Sequence, residues 1–197
     1  MGGCSPLVPQ LILASSSPRR RDLLTRLGVE PCRIASPNID ETPRKGELPR
    51  VYALRMAHEK AAAVPRGIGE VILAGDTTVA VGRRILQQAA NAQMQRDFLK
   101  LLSGRRHHVL SAVCVIDADG RVRSRICDSI VKFKSLGEAE MDAYVASGEV
   151  LGKAGGYAIQ GRAEALISWM SGSHSGVIGL PLYETRALLR AAGLLLD

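Results

Sequence analysis

Apolar residues along this chain fall into short unbroken runs separated by stretches with helical spacing. The first run, "LILA" at residues 11–14, has the length of a buried strand and ends in three serines. Ser17 and Pro18 then predict a helix N-cap with proline at the first helical position. Leu23, Leu24 and Leu27 supply the stripe, and Gly28 the stop. "CRIAS" predicts a second strand, and "PNIDETPRKGELP" a turn-rich connection. An alanine-rich helix is expected over about 51–63. The strongest strand pattern follows in "VILAGDTTVAV" at 71–81, with an interruption expected at Gly75-Asp76.

Further on, a helix is predicted from Asn91 to Leu102 and a strand over "VLSAVCVID". "DADG" turns the chain, and the residues up to Phe133 return as a hairpin partner. Glu138–Ser147 has helical spacing closed by Gly148, "ALISWM" suits a strand, and Leu180–Ala192 a last helix. Strands interspersed with helices, together with a hairpin, predict an α/β protein with a mixed sheet. Residues 1–10 are expected to be a flexible lead-in, and 11–197 one domain.

Charge narrows the choice of partner. The chain has 197 residues and a formal charge of +7, which favours an anionic ligand: nucleic acid, nucleotide or acidic membrane. The basic residues form no tail and aromatics make up only 4%, which counts against a single-stranded nucleic-acid platform. No apolar run approaches the ~20 residues of a membrane span, and no leader pattern opens the chain, so a cytoplasmic protein is expected. Cys4, Cys32, Cys114 and Cys127 include no C-x-x-C pair and suit free thiols in a reducing compartment.

Several segments could carry chemistry. A helix start has unpaired N–H groups that favour anions; Ser15 and Ser17 add hydroxyl donors, and Arg19 and Arg20 add guanidinium forks. A solvated basic helix start is the plain alternative. Asp76 follows "VILAG", where a buried strand was expected to end, and open α/β sheets place ligands at such ends. Asp40 and Glu41 add carboxylates; with the arginines they describe a site for a metal-complexed phosphate. Lys60 lies on a predicted helix, where most lysines are solvated. "GKAGGYAIQG" joins glycines that permit close backbone approach with the charge of Lys153 and the two-sided amide of Gln160. His107 and His108, adjacent on a strand, point to opposite faces and make a poor metal pair.

The segments "LASSSPRR", "DET", "EKA", "AGDT", "GKAGGYAIQG" and "GSHSGVIGLPL", in this order, resemble the Maf-like nucleoside triphosphate pyrophosphatases. The similarity runs from about residue 10 to the C-terminus. It implies a twisted mixed sheet flanked by helices, related to the inosine triphosphate pyrophosphatases, with a central cleft between two lobes. It also implies hydrolysis of a nucleoside triphosphate to monophosphate and pyrophosphate with a divalent metal, Mg²⁺ or Mn²⁺. By resemblance, Asp76 is the proton acceptor and Glu41 its acidic neighbour at the metal, while Ser15, Arg20, Lys60 and Lys153 surround the triphosphate. Arg19, Thr77 and Gln160 match the branch acting on dTTP and UTP. The sister branch, acting on 7-methyl-GTP, typically has Trp, Gln and Glu there. The resemblance allows a homodimer; from composition and the absence of a long apolar run, no stable nucleic-acid partner and no membrane are expected. A non-catalytic nucleotide-binding regulator tied to cell division and a 7-methyl-GTP pyrophosphatase are the competing readings.

The chain departs from the family pattern in places. Gln88-Ala89 stands where K-P or K-A is usual, so a cation expected near the phosphates is missing. Arg162 and Glu164 replace small residues, and His174 stands where Tyr is usual.

Overall fold

The computed structural model describes residues 9–149 and 152–194. Most of the expected lead-in therefore lies outside the described residues, and Gln10 already belongs to the first strand.

Among the described residues seven strands form one mixed sheet. β1 (Gln10–Ala14) pairs in parallel with the two-residue β2 (Arg33–Ile34) and with β3 (Glu70–Val81). β3 then runs antiparallel to β5 (Arg106–Ile116), β5 to β6 (Val122–Phe133), and β6 to β7 (Ile167–Ser171). The order is β2-β1-β3-β5-β6-β7, and β4 (Arg84–Leu86) folds back on the end of β3. The helices are α1 (Pro18–Thr25), α2 (Pro49–Ala62), α3 (Ala92–Leu102), α4 (Glu138–Ala146), α5 (His174–Ile178) and α6 (Leu182–Ala191). Among the described residues no helix is long and apolar enough to cross a membrane.

The unbroken apolar runs have a simple cause: the central strands are buried on both faces. Ile12, Ala14, Ile72, Ala74, Leu110 and Ala112 pack against Ala53, Ala57 and Ala61 of α2. Those alanines, spaced four apart, form one row of the helix and let its backbone lie close to the sheet. The alternate residues Leu11, Leu13, Val71, Leu73, Val113 and Val115 face a larger cluster with Leu23, Leu24, Phe98, Leu99, Leu188 and Leu189. The parallel part of the sheet requires a crossover, and α2 lies within the one joining β2 to β3.

Three expectations need correction. β3 is continuous through Gly75 and Asp76, because β5 pairs with it from Ile72 to Ala80 and supplies the ladder that a break would lose. What ends beside Asp76 is the neighbouring strand: β1 pairs with β3 only as far as Ala14 and Ala74. "CRIAS" yields only two strand residues at the sheet edge, and the turn-rich segment begins sooner than expected. Ser17 is indeed the N-cap and Pro18 opens α1, but no side-chain cap bond forms; the Ser17 N–H instead donates to Ser15 Oγ at 3.2 Å. β4 and the short α5 are additions that no periodic pattern announced.

Candidate active site

A cleft of about 670 Å³ opens where β1 stops and β3 continues. Three elements form its floor. β1 delivers Ser15 beyond its last strand residue, β3 presents Asp76, Thr77 and Thr78, and α2 reaches over with Tyr52 and Lys60. Tyr52 and Lys60 stand eight residues apart on one helical row, which explains how both reach the same opening. The α1 start brings Arg19 and Arg20, the 35–48 connection brings Glu41, and the glycine-rich loop brings Lys153 and Gln160. Ser15, Ser17, Arg19, Arg20, Glu41, Lys60, Asp76, Thr77, Lys153 and Gln160, all singled out from the sequence, line this one cleft, whereas Asp40 does not and accepts the Thr42 N–H instead.

The acidic centre is organised around a single cation. Lys60 Nζ lies 2.9 Å from Asp76 Oδ1 and 2.9 Å from Glu41 Oε2. Thr78 Oγ1 donates to the other Asp76 oxygen at 2.8 Å. Each carboxylate oxygen can accept two bonds, so both acids retain capacity toward the opening. Tyr52 Oη donates to the Glu41 carbonyl at 2.8 Å, and burial, reinforced by the nearby Asp76 and Glu41 charges, pushes its phenol well above the usual range. The phenol therefore stays a donor.

Arg20 ties three segments together. Its Nε donates to the Gly179 carbonyl at 2.9 Å, one Nη to Ser15 Oγ at 3.1 Å, and the other to Thr77 Oγ1 at 3.5 Å. Gly75 lies beneath this arginine. A Cβ there would sit 3.3 Å from the Ala112 carbonyl and 3.4 Å from Arg20 Nε. Burial lowers the Arg20 pKa while Asp76 raises it, and Arg19 beside it lowers it further. Burial also lowers the Arg19 pKa.

Lys153 lines the cleft from the glycine-rich loop. It donates to the Glu149 carbonyl, and burial together with Arg19 lowers its pKa. Arg19, Arg20, Lys60 and Lys153 thus oppose only two carboxylates, leaving the cleft with a surplus of positive charge suited to a polyanion. Gln160 is exposed on the same loop. Gln88 faces the cleft too, and its backbone bridges Ala154, next to Lys153.

The family model described as "Maf-like protein" matches residues 10–192. The chain belongs to the Maf-like family. A "dTTP/UTP pyrophosphatase" of Sphingopyxis alaskensis is 65% identical over 187 residues, covering 95% of this chain and 98% of the relative. A protein with the same name from Novosphingobium aromaticivorans is 57% identical over 196 residues, with 98% of both chains covered. Among solved structures, a HAM1 protein from Coxiella burnetii aligns at a TM-score of 0.50 and 18% identity, covering 93% of this chain and 100% of that one. That likeness is of fold alone.

In this Maf-like chain the sequence motifs left out the residues that support the cleft from behind. Arg55 and Glu47 hold the connection carrying Glu41, with bonds of 2.7 Å from Arg55 Nε to Glu47 Oε1 and from Arg55 Nη2 to Glu47 Oε2. His107 accepts from or donates to the Tyr157 hydroxyl at 2.8 Å and stacks on Phe133, bracing the glycine-rich loop from below. The i,i+4 spacing of Arg55 and Glu59 and the odd burial expected of a histidine inside "RHHVLSAV" were the available signals.

Proposed function

We propose that this protein hydrolyses dTTP and UTP to the monophosphate and pyrophosphate, with residues 11–197 acting as one unit around the cleft. The observation that carries this reading is the convergence of Asp76 and Glu41 on Lys60 at the floor of a cleft with surplus cations. Relatives 65% and 57% identical over nearly the whole chain bear the corresponding name.

The reaction is in-line attack of water on the α-phosphorus. A bond forms from the water oxygen to that phosphorus, and the bond to the bridging oxygen of the β-phosphate breaks. Asp76 accepts the proton released by the attacking water. Its Lys60 and Thr78 contacts fix the carboxylate at the cleft lining. Arg20 and Lys153 neutralise the charge that grows on the departing pyrophosphate, and Arg19 adds to that field. Gln160, whose amide both donates and accepts, pairs with the uracil or thymine edge. Thr77 and Arg19 shape the rest of the nucleotide pocket.

The donors fit a hard divalent cation, Mg²⁺ or Mn²⁺. Glu41 and Asp76 offer oxygen only, and among the described residues no group of three or more His, Cys, Asp or Glu could hold a metal unaided. Such a cation takes one or two carboxylates and completes its shell from water and substrate phosphates. When bound it supplies charge stabilisation to the phosphate oxygens. Asp76 and Glu41 would hold it.

The test is phosphate release, with added inorganic pyrophosphatase, from dTTP, UTP, CTP and 7-methyl-GTP. Release from dTTP and UTP that depends on the added pyrophosphatase is the expected outcome. Release from none of them would instead favour the regulator reading.

A further inference from the structure

We propose that Arg55 is the positioning residue for Glu41. The proposal rests on the reading above, in which Glu41 acts with Asp76 in hydrolysis.

Glu41 lies in the irregular 35–48 connection, and its side chain is 47% exposed. Such a segment has no ladder of its own to define where a carboxylate stands. α2 supplies the definition: Lys60 bonds the carboxylate itself at 2.9 Å, and two further side chains hold the backbone that carries it. Tyr52 Oη bonds the Glu41 carbonyl, and Arg55 Nη2 donates to the Thr42 carbonyl at 3.2 Å. Two successive peptide groups are thereby pinned to one helix. Arg55 is itself locked from four sides. It forms parallel 2.7 Å bonds to both Glu47 oxygens, a 3.1 Å bond to Glu59 Oε2, and stacks 5.5 Å from the Tyr52 ring centroid. Glu47 Oε2 also accepts the Arg44 N–H at 2.9 Å, closing the far end of the connection.

Arg55 is absent from the cleft lining, so it acts through Glu41 and not on substrate. The Arg55 and Glu47 side chains are only 13% and 6% exposed. The fork holds the Glu47 carboxyl well below its usual range, at about 2, so the pair stays charged at any working pH. A buried ion pair is a poor source of stability compared with apolar residues of the same volume. What two leucines could not do is hold carbonyl oxygens at defined points. The planar fork is suited to that task, and a lysine point charge is not.

The experiment compares Arg55→Lys, Glu47→Gln, Glu41→Gln and the double variant Arg55→Lys/Glu41→Gln. Arg55→Lys and Glu47→Gln should remain folded by melting temperature. Each should lower kcat for dTTP by about 10- to 100-fold, as expected for a displaced reacting group, with KM changed less than about threefold. Amide hydrogen exchange over residues 40–46 in the metal-free protein should accelerate about tenfold or more. The double variant should be no slower than Glu41→Gln alone, because Arg55 has nothing left to position. Additive losses in the double variant, or wild-type kcat in folded Arg55→Lys, overturn the proposal while leaving Glu41's role intact. Wild-type kcat in Glu41→Gln overturns the role and the proposal together.

Discussion

The Lys60 ammonium and the Asp76 carboxylate form an ion pair at 2.9 Å in which neither side chain is more than 9% exposed. Two opposite charges withdrawn from water hold each other in place, since separating them would leave each buried with only its remaining partner, Glu41 for Lys60 and Thr78 for Asp76. The carboxylate that the motif "AGDT" singles out is thus fixed by a helix from a different part of the chain.

Asp76→Asn keeps the shape of the side chain and its hydrogen bonds to Thr78 or Lys60 while removing the proposed proton acceptor. Hydrolysis of dTTP should fall by about 10³-fold or more, and calorimetric affinity for the nucleotide should change only a few-fold. Undiminished turnover would remove Asp76 as the base.

Gln160→Glu exchanges an amide for an acceptor-only group. A uracil or thymine edge presents carbonyl oxygens that need a donor, so kcat/KM for dTTP and UTP should drop about 10- to 100-fold. Combined with Arg19→Trp and Thr77→Gln, the same change should raise activity toward 7-methyl-GTP. Parallel substrate assays on the single and triple variants check both statements.

Gln88 places a neutral amide at the cleft, beside the backbone of Ala154. Gln88→Lys adds a cation to a wall that already holds Lys153, and should lower KM for dTTP about three- to tenfold at low ionic strength. Screening should erase most of that gain at 0.5 M salt. A gain insensitive to salt would mean that the lysine acts by some means other than charge.

His107 is buried, and burial lowers its pKa from 6.5 to about 4. The folded state therefore binds this proton more weakly than the unfolded chain. Its contribution is fully present above about pH 6.5 and is lost as pH falls toward 4. Between pH 7.5 and 4.5 that loss is on the order of 2 kcal/mol. Urea unfolding at the two pH values should show a correspondingly smaller drop in His107→Gln, which has no such proton to take up. An equal drop in both proteins would assign acid sensitivity elsewhere.

Element types were legible wherever burial is one-dimensional. "LILA" and "VILAG" are apolar on both alternating faces because helices cover both sides of the sheet, and the helix expected over Asn91–Leu102 forms as α3, with Asn91 as its N-cap through a 2.8 Å bond from the Met94 N–H. The continuity of β3 through Gly75-Asp76 was not legible. It depends on β5, some thirty residues away, offering hydrogen bonds to a stretch whose own composition suggests a break.

By itself the sequence determined the family, the order of most elements and the residues that meet at the cleft, because each of these is carried by local spacing or by short motifs with their own chemistry. Only the tertiary structure decided that one lysine joins Asp76 to Glu41, that Arg20 links Ser15 just past β1, Thr77 of β3 and the turn at Gly179, and that Arg55 and His107 brace the loops behind them. Those contacts connect residues far apart along the chain. Their geometry follows from how α2 and the glycine-rich loop pack on the sheet, and no local pattern encodes a distance between elements that meet only after folding.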